Sequence, residues 1–64
     1  MINYVTVITT NGKEIYREPF AAAHTPEIAL AKMIEAGCKA DGANAVIWGS
    51  PDGKVVHRFE IVPA

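Results

Sequence analysis

One stretch with helical periodicity, Thr25–Ala40, lies between two segments that each carry a hairpin turn, and this order limits what a 64-residue chain can fold into. Thr25 is a good N-cap, because its hydroxyl can accept from the free N–H groups of the first turn. Pro26 suits the first helical position, and Glu27 places negative charge at the positive end of the helix dipole. At 100° per residue Leu30, Ile34, Cys38 and Ala31 form one stripe, widened by Met33, Gly37, Ala29, Ala36 and Ala40. Lys32, Glu35 and Lys39 cluster opposite, with Ile28 near them. The apolar arc is wider than a lone surface helix needs; either the helix sits on a small sheet with its alanine-rich flank in water, or that flank meets a second subunit. Asp41-Gly42 reads as the stop, although Gly37 could end the helix a turn earlier.

Before the helix, Ile2–Thr9 is rich in β-branched and aromatic residues and reads as a strand. Asn11-Gly12 then supplies the two positive-φ positions of a type I′ turn, and Lys13–Glu18 returns. A two-residue turn pairs Ile8 with Ile15, Val7 with Tyr16, Thr6 with Arg17 and Val5 with Glu18. Both faces of this hairpin carry apolar residues, so its inward face stays open. Pro19–His24 connects to the helix, with Phe20 expected beneath the helix start.

After the helix, Ala43–Gly49 reads as the third strand and Lys54–Val62 as the fourth. Ser50-Pro51-Asp52-Gly53 joins them as a type I turn with glycine at the left-handed position. That loop faces Gly49 with Val55, Ile47 with His57 and Ala45 with Phe59. Continued by Ile61, this is the set expected beneath the helix. Val46, Trp48, Val56 and Arg58 are then expected together on the other face. The expected fold is α+β, a two-layer ββαββ domain spanning 1–64, with a mainly antiparallel four-stranded sheet and one helix on one face. Its expected core is Leu30, Ile34, Met33, Phe20, Ile47, Phe59 and Ile61.

The second half of the chain carries Ala29, Ala36, Gly42-Ala43, Val46-Ile47 and Asp52-Gly53-Lys54. In this it is similar to a group of short bacterial ββαββ domains with an alanine-rich helix, a Gly-Ala-x-x-apolar strand and an Asp-Gly-Lys turn. The resemblance implies topology and adds no activity.

Size and chemistry narrow the function. A domain this small buries only about 60% of the surface its unfolded chain exposes. The lone Cys38 cannot form an internal disulfide, and one cysteine with two distant histidines matches no zinc spacing. Oligomerisation is the remaining common remedy for a small core. The net charge of −1 argues against a polyanion as main partner. No membrane span or signal peptide is expected, and the default location is cytoplasmic.

Apolar surface with an aromatic and an arginine is the composition of an interface centre, so Val46, Trp48, Val56 and Arg58 are the expected partner-binding residues. The equal alternative is a half-exposed cross-strand cluster with Arg58 lying over the Trp48 ring, and a register slipped by one would send Trp48 inward. The expected function is a non-catalytic interaction module, a C2 homodimer or one bound to another protein. No cofactor, metal site or catalytic residue is expected. The rival reading is a sheet that binds single-stranded nucleic acid, with bases stacked on Trp48 and Tyr4 or Tyr16 beside Arg58, Arg17 and Lys54. Glu14, Glu18, Glu60 and Asp52 on the same strands and turns weigh against it. His57 reads as a residue at the edge of the core and His24 as a loop residue. A Cys38–His57–Asp41 constellation has no support in spacing.

Overall fold

The computed structural model describes residues 3–21 and 24–64. Ile2, expected in the first strand, and Ala22 and Ala23 of the connecting segment lie outside the described residues. The order is β1 (Tyr4–Thr10), β2 (Lys13–Pro19), α1 (Pro26–Glu35), β3 (Lys39–Ala40), β4 (Ala45–Gly49) and β5 (Val56–Pro63). They form an α+β fold with one antiparallel five-stranded sheet, ordered β2-β1-β5-β4-β3. The expected ββαββ order is thus ββαβββ, with one strand more.

The extra strand follows from where the helix stops. Gly37 takes φ +115°, a backbone state that residues with a Cβ resist. Its N–H donates to Ile34 O at 3.1 Å and that of Cys38 to Met33 O at 3.0 Å, the paired bonds of a Schellman end. Gly37 therefore terminates the helix a turn before Asp41-Gly42, and Lys39 and Ala40 are freed to pair with Ile47 and Val46. At the other end, Thr25 Oγ1 accepts from the Ile28 N–H at 3.4 Å.

The first hairpin turns at Asn11 (φ 50°) and Gly12 (φ 83°), as the sequence leads one to expect. Thr10 pairs with Lys13 and Thr9 with Glu14, but Ile8 then pairs with Tyr16. Ile15 is an extra residue on β2, a bulge that moves every later pair by one. Val7 consequently faces Arg17 and Thr6 faces Glu18.

The second hairpin also departs from the expected register. Gly49 pairs with Val56, Trp48 with His57, Val46 with Phe59 and Ala45 with Glu60. The loop is one residue longer because its own side chains hold it. Asp52 Oδ1 accepts from the Lys54 N–H at 3.0 Å, and Ser50 Oγ from the Val55 N–H at 3.1 Å. These bonds draw Lys54 into the turn, and Ser50 N–H closes on Val55 O at 2.9 Å. Asn11 fixes the result from across the sheet, its Oδ1 accepting from the Val56 N–H at 2.8 Å and its Nδ2 donating to Lys54 O at 3.2 Å.

A one-residue slip sends a strand's side chains to the other face. His57, Phe59 and Ile61 lie on the helix side as expected, whereas Ala45, Ile47 and Gly49 do not. Val46 replaces Ile47 in the core and is fully enclosed, packed with Leu30 and Ile61. Tyr4, Phe20, Ala29, Met33, Cys38 and Phe59 surround this centre. Ile34, expected inside, is 44% exposed.

Candidate interaction surfaces

The four expected partner-binding residues do not share a face. Val46 and Trp48 point to the helix side, while Val56 and Arg58 point to the open side. Val46 has no exposed surface with which to meet a partner. The difference arises at the β4–β5 loop, which hydrogen bonds to the side chains of Ser50 and Asp52 lengthen by one residue.

The open face is laced with charge. Arg58 Nε donates to Asp41 Oδ2 at 2.7 Å, and Arg58 also pairs with Glu60 at 3.2 Å. Because β4 lies between β5 and β3, the Arg58–Asp41 pair spans β4, where Ala45 is only 2% exposed. On the other side of β5, Glu60 and Arg17 stand on either side of Val7, which both pair with directly. Arg17 is in turn bound to Glu14 at 2.8 Å. Hydrogen bonds that Arg58 donates to Asp41 and Glu60 raise its pKa above the ordinary value, and Arg17 holds Glu14 below its own. Each cation on this run is matched by a carboxylate.

The helix side is different. α1 lies against β3 and β4; Tyr4 of β1 and Phe20 pack against the same core, while every residue of β2 is exposed. One cross-strand row runs Tyr16, Ile8, Phe59, Val46, Ala40, and exposure falls along it from Tyr16 to Val46. The next row runs Lys13, Thr10, His57, Trp48. There the Trp48 and His57 rings stack at 5.7 Å and 17°, and His57 Nδ1 is hydrogen-bonded to Thr10 Oγ1 at 2.9 Å. Trp48 therefore rests on His57 and not under Arg58.

The exposed large apolar residues are unevenly shared. Tyr16, Ile28, Ile34 and Trp48 stand on the helix side, Val56 on the open face, and Ile15 at the bulge. At the β3 edge of the helix side is a groove of about 200 Å³, lined by Leu30, Ala31, Ile34, Ala40, Ala43 and Val46, with Glu27 at its rim. The sequence offers both parts separately, the alanine-rich flank as a subunit contact and Tyr16 as a stacking residue, but not their common side, because the bulge hid the face of Tyr16.

The Cys38–His57–Asp41 constellation is not formed. Cys38 packs against the core, His57 lies on the helix side, and Asp41 is bound to Arg58 on the open face. Among the described residues no three His, Cys, Asp or Glu side chains gather into a metal-binding group. No helix of the described residues is long and apolar enough to cross a membrane. Comparison with protein-family models, with curated proteins and with solved structures returns no match.

Proposed function

We propose that this chain is a non-catalytic protein-interaction module that uses the helix side of its sheet. The observation that carries this reading is where the exposed apolar side chains stand. Among the described residues, four of the six large exposed apolar side chains, Tyr16, Ile28, Ile34 and Trp48, lie on the helix side. Contiguous apolar surface with aromatic anchors marks contact sites.

A nucleic-acid partner is less well supported. Arg17 and Arg58 are paired with Glu14, Glu60 and Asp41 and lie on the face opposite Trp48, which leaves Lys13 as the cation in Trp48's own cross-strand row. A phosphate backbone needs cations beside the stacking platform. The test is a binding series with single-stranded DNA and RNA at low salt, read by Trp48 fluorescence, beside chemical cross-linking of the protein in extract of its source cells. Protein adducts mapping to α1, Tyr16 or Trp48, with no nucleic-acid quenching, are expected. Salt-dependent quenching with no protein adduct would reverse the reading.

A further inference from the structure

The turn between β1 and β2 is also the chain's most reactive peptide link. Asn11-Gly12 is the one Asn-Gly pair in the sequence, since Asn3 and Asn44 precede Tyr4 and Ala45. Gly12 takes φ +83°, a state that residues with a Cβ resist, and a Cβ placed there would meet nothing within 4 Å. Its backbone nitrogen is therefore an unhindered neighbour of the Asn11 amide carbon, and both residues are exposed to water. Attack of that nitrogen on Asn11 Cγ closes a succinimide ring.

Three hydrogen bonds hold Asn11 back from this reaction, all to one segment of the other hairpin. Its N–H donates to Val56 O at 2.8 Å, its Oδ1 accepts from the Val56 N–H at 2.8 Å, and its Nδ2 donates to Lys54 O at 3.2 Å. Main chain and side-chain amide are pinned together, with both amide heteroatoms turned to Lys54 and Val56. Swinging Cγ onto the Gly12 nitrogen breaks both side-chain bonds.

We propose that Asn11 is a deamidation site gated by the fold, closed while its tie to Lys54 and Val56 holds and reactive when the turn opens. In the open turn the Gly12 nitrogen gives up its proton and forms a C–N bond to Asn11 Cγ. The Cγ–Nδ2 bond breaks, and the amide nitrogen leaves as ammonia with that proton. Water then adds to one of the two ring carbonyls and the ring C–N bond there breaks, leaving aspartate or isoaspartate. Nothing is oxidised or reduced. Neither product rebuilds the tie. Aspartate sets an acceptor against the Lys54 carbonyl, where Nδ2 had donated, and adds a negative charge beside a residue whose N–H already serves Asp52 Oδ1. Isoaspartate also lengthens the main chain inside a two-residue turn, whose register depends on its length. The bonds lost are those that fix the β4–β5 loop from across the sheet, so a change in the first hairpin loosens the second.

Peptide mapping by mass spectrometry tests the gate, with the intact chain incubated in mildly alkaline buffer, alone or with enough urea to unfold it. Deamidation should map to Asn11 in both, and three bonds of ordinary strength should make it about 10- to 100-fold slower in the folded protein. Asp52→Ala, which frees the Lys54 N–H and leaves Asn11 and Gly12 in place, should raise the folded rate several-fold while the circular-dichroism spectrum stays folded. Ser50→Ala, which frees the Val55 N–H, should do the same and serves if Asp52→Ala does not fold. Anion exchange isolates the product by its added charge, and in it the Val56 amide should lose hydrogen-exchange protection while that of Leu30 in α1 keeps its own. Equal rates in buffer and urea, or a folded rate that neither loop variant moves, would overturn the gate. An unfolded chain that does not deamidate at Asn11 would overturn the site, and a product whose Val56 amide exchanges as before would overturn the loosening.

Discussion

Truncating Val46 to alanine separates the observed register from its one-residue alternative. Val46 is fully enclosed at the centre of the core, against Leu30 and Ile61 and directly across from Phe59. Val46→Ala removes two methyl groups, each about 0.8 kcal/mol of burial, and leaves a cavity that the short strands close only in part, for a loss of about 2–3 kcal/mol. For a domain of this size that corresponds to a fall in melting temperature of roughly 10–20 °C. Ile47→Ala removes more atoms, but from a half-buried site on the open face between Lys39 and Arg58. Its cost should be only about 1 kcal/mol. Urea denaturation followed by circular dichroism, at one protein concentration for all variants, gives both values. A larger loss for Ile47→Ala than for Val46→Ala would refute the register and return Trp48 to the open face.

Other substitutions test the local devices. Asn11→Ala loses two side-chain hydrogen bonds, to Val56 N–H and Lys54 O, and a residue that tolerates φ 50°; equilibrium unfolding should register about 1–3 kcal/mol. Gly37→Ala meets no atom within 4 Å but must hold φ +115°, so a loss of about 1–2 kcal/mol is expected. Gly49→Ala, with equal space and no positive φ, should be neutral or stabilising by up to about 1 kcal/mol, measured in the same melts. Hydrogen bonds from Ser50 and the Lys54 N–H hold the Asp52 pKa below its ordinary value. Asp52 therefore contributes stability above the unfolded-state pKa, lost as pH falls through the lower folded value. Asp52→Asn should flatten the acid limb of the stability–pH curve in proportion.

Much of the fold was legible because several signals agree locally. Asn11-Gly12 fixed the first turn, and Thr25-Pro26 fixed the helix start. What could not be read were features that depend on distant partners. The Ile15 bulge appears in no local propensity, and the loop length at Ser50–Val55 is held partly by Asn11, more than forty residues away in the chain. Both features shift a register by one, and strand faces alternate residue by residue. Val46 and Trp48 were therefore assigned to the face that Val56 and Arg58 occupy. The prediction of an uncovered face needing a partner pointed to the far side of the sheet. Charge pairs lace that side, whereas Tyr16, Ile28, Ile34 and Trp48 stand exposed on the helix side.

The account's central claim is that the helix side, and not the open face, is the contact surface. Side-chain NMR of the wild-type protein across a dilution series tests it most directly. On raising the concentration, the resonances of Ile8, Tyr16, Ile28 and Ile34 should shift together along one binding curve, while those of Val5, Val56 and Val62 stay in place. Shifts confined to Val56 and its open-face neighbours would contradict it, whereas spectra that do not change with concentration would exclude only self-association.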